Sequence, residues 1–138
     1  MIDGKAYINT VKDYFSFLTT EFQFKCFQEV IQGNYYYEVV YERIDKRISI
    51  SYENAEDYLQ VIVFLLEKGK LPIYDDKTRT LHLEILNKNI LTRLEKKEII
   101  LSNQSFKVAH PQNKLEEKLL KSAKELRINL KHLDKTEI

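Results

Sequence analysis

A chain of 138 residues, 31% charged and 43% hydrophobic, has the length and balance of one globular domain that buries roughly two-thirds of its unfolded surface, which argues against disorder and against a membrane protein. The net charge of +1 conceals a mild asymmetry. Residues 1–74 hold 8 Lys and Arg against 11 Asp and Glu (−3), and residues 75–138 hold 14 against 10 (+4), values too small to impose an acidic partner.

From Lys5 to Thr19, apolar residues at Tyr7, Val11, Tyr14, Phe15 and Leu18 recur at helical spacing, and Asp3 is placed to cap the start. Phe22, Phe24 and Cys26 then alternate with Gln23 and Lys25 as in a strand, and Phe27 breaks the alternation, which predicts a bulge or burial on both sides. Gln32-Gly33-Asn34-Tyr35 predicts a hairpin turn. Beyond it, Tyr35, Tyr37, Val39 and Tyr41 share one face and Tyr36, Glu38, Val40 and Glu42 the other, the second being the wetter.

A turn at Ile44-Asp45-Lys46 leads into Ile48, Ile50 and Tyr52, alternating with Arg47, Ser49 and Ser51 as in a half-buried strand. Tyr58 to Leu66 is apolar on both faces and rich in β-branched residues, which predicts a central strand whose second face is covered by the C-terminal helices or by a second copy of the chain. Glu67 to Lys70 reads as a turn, Leu71-Pro72-Ile73-Tyr74 as an extended connection and Asp75 to Lys77 as another turn. Leu81, Leu83 and Ile85 alternate like a short strand, with a switch to helical spacing near Leu86 that continues through Ile90, Leu91 and Leu94. Asn103 to Pro111 reads as a surface connection tied down by Phe106 and Val108. In the last segment Asn113 and Glu116 resemble a capping box, and Leu115, Leu119, Ala123, Leu126 and Leu130 form an apolar stripe.

The fold class that follows is α+β in a single domain, 1–138: an N-terminal helix, an antiparallel meander of four or five strands, and C-terminal helices ending in a long amphipathic one.

Little in the chain carries chemistry. His82, His110 and His132 lie in separate segments without ligand spacing, although His82 and Glu84 would share a strand face; no metal and no cofactor is expected. The single cysteine, Cys26, reads as a buried small hydrophobe, with Lys25 pointing to the opposite face and therefore unable to activate a thiolate. Three glycines in total leave no material for a phosphate loop or a G-x-S-x-G elbow. The carboxylates of Glu53, Glu56, Asp57, Asp75 and Asp76 fall in turns, the ordinary setting of solvated acids. No enzyme activity is expected. One cysteine fits a reducing cytoplasm, and Met1 to Lys5 show no basic segment leading into an apolar run. The longest apolar run spans nine residues and contains Gln60, where a membrane helix needs about twenty.

Nine tyrosines and no tryptophan direct attention to recognition, because tyrosine offers a large contact area and a hydroxyl that tolerates water. Tyr36, Glu38 and Glu42, on the polar face of the hairpin, are the candidate partner-binding residues. Two alternatives stand beside protein binding. Lys114, Lys118, Lys121, Lys124, Arg127, Lys131 and Lys135 give the last segment a basic face that follows a phosphate backbone in a weaker, nucleic-acid reading. The two apolar faces of Tyr58 to Leu66 suit a homodimeric structural or adaptor domain.

Phe17 to Phe24 (FLTTEFQF), Val39 to Glu42 (VVYE), Ile48 to Glu53 (ISISYE) and Lys68 to Tyr74 (KGKLPIY) together resemble small bacterial proteins, some of them similar to immunity proteins encoded beside polymorphic toxins. The resemblance covers about the first two-thirds of the chain as a pattern of strands and turns, and carries no catalytic motif. It implies a cytoplasmic α+β protein that acts by binding and occludes a toxin's active site. This chain is near neutral where many immunity proteins are acidic, which argues against neutralisation by charge mimicry.

Overall fold

The computed structural model describes residues 2–73, 75–106 and 109–136, and the chain divides into two compact units, Met1–His82 and Leu83–Ile138. Tyr74 and Val108, each given a role from sequence, lie outside the described residues.

The first unit is a helix and a meander. Helix α1 (Gly4–Tyr14) starts where Asp3 accepts a hydrogen bond from the Ala6 backbone, as its position predicts, and ends at Phe15. A single turn, α2 (Phe17–Thr20), follows, so the periodic stretch is two helices with a break at Ser16. Tyr7, Val11, Tyr14, Phe15 and Leu18 are all buried.

Strands β1 (Lys25–Gln32), β2 (Tyr36–Glu42), β3 (Lys46–Glu53), β4 (Tyr58–Leu65) and β5 (Thr80–His82) pair antiparallel in sequence order. The register shifts between Cys26 and Gln28, which makes Phe27 the bulged residue. At the β1–β2 turn Gly33 takes φ +54, a conformation glycine reaches at no steric cost.

The two sheet faces differ as the alternation predicts. Tyr37, Val39 and Tyr41 of β2 share a face with Ile48, Ile50 and Tyr52 of β3 and Val61 and Val63 of β4, and all are buried. Helix α1 packs against this side: the Tyr7 hydroxyl donates to the Ile50 carbonyl at 3.0 Å, and its ring lies 5.6 Å from Tyr37 and 5.9 Å from Tyr52. The run from Tyr58 forms a central strand, β4, flanked by β3 and β5, with Val61, Ile62 and Val63 buried and Tyr58 exposed at its start. Strand β3 is buried more completely than a half-wet strand, since Ser49 and Ser51 are also buried.

The second unit is helical: α3 (Leu83–Asn89), a 3-10 turn at Leu91–Arg93, α4 (Lys96–Asn103), a second 3-10 turn at Gln104–Phe106, and α5 (Lys114–Thr136). The change from strand to helix comes at Leu83, three residues before the expected point. Leu83 and Leu86 are buried at helical spacing, while Ile85, expected on a strand face, is exposed. Glu84 therefore belongs to α3 and does not share a strand face with His82.

Helix α5 begins with the cap its sequence predicts. Asn113 Oδ1 accepts from the Glu116 N–H at 2.9 Å, and Glu116 reaches back to the Gln112 N–H at 3.0 Å, one residue earlier than a standard capping box. Leu119, Ala123, Leu126 and Leu130 are buried, with Leu120, Ile128 and Asn129 widening the stripe. Arg127 donates to the Ser102 carbonyl and hydroxyl, Asn129 to Asn87 at 2.7 Å, and His132 pairs with Glu98, so α5 is tied by polar contacts to both α3 and α4. Among the described residues, no helix is long and apolar enough to cross a membrane.

Candidate functional site

Pairing register carries the side chains of the hairpin into rows across the sheet. On the face opposite α1, one row runs Gln32, Tyr36, Glu53, Tyr58; the next Val30, Glu38, Ser51, Gln60; then Gln28, Val40, Ser49, Ile62; and last Lys25, Glu42, Arg47, Phe64. Tyr36, Glu38 and Glu42 thus share one face of β2, as their alternation predicts.

They do not form one uniform wet surface. Val40 is buried between them, and so are its neighbours Ser49 and Ile62; Tyr36, Glu38 and Glu42 are each half-buried. The continuous exposed ground runs instead along β1, where Lys25, Phe27, Gln28 and Gln32 are exposed beside the outer half of β2. From Tyr36 to Glu42 the strand covers about 20 Å, at about 3.3 Å per residue.

The two ends differ electrostatically. At the turn end, the Tyr36 phenol is pushed up by burial and then by the nearby Glu38 carboxylate, so it stays a neutral donor, while Glu38 accepts from the Ser49 hydroxyl. Tyr36 joins Gln32, Tyr35, Glu53, Ala55 and Glu56 around an open groove of about 450 Å³. Tyr35 is 59% exposed, and Glu53 and Glu56 add two exposed carboxylates. Asn54 fastens this end from beneath: its side-chain amide lies 2.6 Å from the Asn34 carbonyl, 2.9 Å from the Tyr37 hydroxyl and 3.2 Å from the Ile2 carbonyl.

At the other end Glu42 is compensated. Arg47 Nε donates to it at 2.6 Å while the same guanidinium lies over the Phe27 ring at 4.8 Å. A second open groove of about 630 Å³ lies here, its wall including Lys25, Cys26, Phe27, Glu42, Arg43 and Ile44. Phe27 is 55% and Ile44 89% exposed. Sequence reading missed both; the only signals were the broken alternation at Phe27 and an isoleucine in a turn.

Behind this groove sits the chain's least expected polar cluster. Lys46 is fully buried, its ammonium 3.0 Å from Asp45, which also receives Arg43 Nε at 2.6 Å; Arg43 reaches the Phe22 carbonyl and lies over Phe24. Partial burial raises the Asp45 carboxyl, but hydrogen bonds from Arg43 and Lys46 outweigh it and hold the group down at about 2.

Cys26 corrects the sequence reading: it is exposed, because β1 is the terminal strand and its side chains have a covered neighbour on one side only. Partial burial and the Glu29 carboxylate push its thiol up, the reverse of nucleophile activation.

Among the described residues, no group of three or more His, Cys, Asp or Glu is placed to hold a metal ion. The turn acids serve local structure: Asp57 accepts from Tyr52, and Asp76 from the Thr78 backbone and hydroxyl. On α5, Lys114, Lys118, Lys121, Lys131 and Lys135 are exposed, whereas Lys124 and Arg127 are half-buried and Arg127 donates to Ser102. Comparison with family models, with curated proteins and with solved structures gives no match.

Proposed function

We propose that this chain is a non-enzymatic protein-binding protein whose contact surface is the β1–β2 hairpin, with Tyr36 and Glu38 engaging the partner at one end and Glu42 at the other. In its finer form the proposal is an immunity-type inhibitor, which blocks a partner toxin by covering its active site. The observation that supports it is the spread of these groups: a small molecule in either groove would meet only one end, while groups about 20 Å apart with a groove at each end are reached together by a macromolecular partner. Exposed tyrosine and phenylalanine beside carboxylates supply the amphipathic contact area such surfaces use.

The test is affinity capture from native lysate with the wild-type chain and two variants, Y36S/E38Q/E42Q and K114Q/K118Q/K121Q. A protein retained by wild type and by the lysine variant, and lost from the hairpin variant, supports the reading. Equal retention by the hairpin variant refutes the surface, and loss from the lysine variant alone transfers the function to α5.

A further inference from the structure

Strand β1 ends the sheet, and among the described residues no strand pairs with its outer edge. A terminal strand presents a row of unpaired N–H and C=O groups, a template that only another extended segment satisfies fully. Proteins blunt such edges with bulges and lysines, and here both devices, Lys25 and the bulge at Phe27, sit in the first half of the strand. The second half, Gln28 to Gln32, pairs with β2 in unbroken register from Gln28↔Val40 to Gln32↔Tyr36. It is exposed apart from half-buried Val30, and it includes Ile31, 47% exposed although apolar.

That five-residue segment reads Gln-Glu-Val-Ile-Gln, with glutamines at equal distances from a central valine. We propose that it is a homodimerisation edge, at which two copies of the chain pair antiparallel about a two-fold axis at Val30 and join their sheets into one of ten strands. The axis sets Val30 against Val30 of the second copy, an apolar pair at its centre. It sets Gln28 against the second copy's Gln32, and Gln32 against its Gln28, so each side-chain amide both donates and accepts. Glu29 comes opposite Ile31, and its charge is already balanced within each copy by Lys12 at 2.9 Å. The bulge at one end and the Gly33 turn at the other stop pairing from sliding, because a shift by two residues brings a bulge or a turn into the ladder. A second copy suits this edge because Gln28, Val30 and Gln32 meet Gln32, Val30 and Gln28 across the axis, the self-matching that a two-fold interface requires. Pairing occurs in the plane of the sheet and uses none of Tyr36, Glu38 and Glu42, while Gln32, which also lines the Tyr36 groove, is shared by the two surfaces.

The test is sedimentation velocity of the full chain from about 1 to about 300 μM, the range suited to an interface this small, with V30K, V30E and their equimolar mixture, each checked for native far-UV circular dichroism. Wild type is expected to move reversibly toward twice its 16.5 kDa mass. V30K and V30E, placing like charges face to face, are each expected to associate at least about tenfold more weakly. Their mixture, placing Lys against Glu, is expected to recover association. Wild type that stays monomeric throughout, a single variant that dimerises as well as wild type, or a mixture that stays monomeric would each overturn the proposal.

Discussion

Asn54→Ala tests how the turn end of the hairpin is held. The Asn54 amide has two N–H groups and three acceptors within reach, the Asn34 carbonyl, the Tyr37 hydroxyl and the Ile2 carbonyl, so it serves two of them at a time. Truncation removes two hydrogen bonds, at about 1 kcal/mol each. The surcharge for stranded acceptors is small: Tyr37 still donates to the Ile2 carbonyl at 2.9 Å, and Asn34 lies in an exposed turn where water replaces the lost donor. The expected loss is therefore about 2 kcal/mol, with a further few tenths for the space left behind. Asn54→Asp is expected to cost more, because it keeps the volume and aims a carboxylate at two carbonyl oxygens. Urea unfolding followed by tyrosine fluorescence is the assay, and it is selective, since all nine tyrosines belong to the first 82 residues. A loss below about 0.5 kcal/mol for Asn54→Ala, or an Asp variant as stable as wild type, would refute this account of the turn.

The Asp45 carboxyl, held at about 2 in the folded chain and about 3.9 when unfolded, contributes stability that is fully present above about pH 4 and is lost as pH falls through about 2. Denaturant midpoints between pH 5 and pH 2 check this: Asp45→Asn should flatten that limb, and an unchanged slope contradicts the pairing with Arg43 and Lys46. Asn113→Ala removes the α5 cap and should cost about 1 kcal/mol in urea unfolding followed by far-UV circular dichroism; no change would show the cap to be idle. Native Cys26 should be alkylated to completion by iodoacetamide without denaturant, more slowly at pH 7 than free cysteine because its thiol is pushed up; protection until unfolding would show it buried.

What sequence conveyed here is local, and what it withheld depends on who neighbours whom. The meander was legible because period-two alternation at Tyr37, Val39, Tyr41 and at Ile48, Ile50, Tyr52 has a direct steric cause, and the turn at Gly33-Asn34 joins two such runs. Leu83 misled because it continues the alternation of Leu81 while also standing three residues before Leu86, so one residue satisfies both periods and only tertiary burial decides. The exposure of Cys26 and Phe27 follows from β1 being terminal, a property of strand order that no window along the chain contains. Lys46 looked like a turn lysine; its burial required knowing that Asp45 and Arg43 would close around its ammonium. For the candidate surface, the shared face of Tyr36, Glu38 and Glu42 was readable, whereas the Arg47 partner of Glu42, five residues away across a turn, emerged only with the register.

The most direct measurement is an amide chemical-shift map of the isotope-labelled chain titrated with the purified protein it captures. The expected result is perturbation confined to the hairpin and the adjoining end of β3, at Phe27, Gln32, Tyr35, Tyr36, Glu38, Glu42 and Glu53, with α5 unaffected. Perturbations centred on Lys114 to Lys135, with the hairpin amides unmoved, would contradict the claim that this chain acts through its β1–β2 surface.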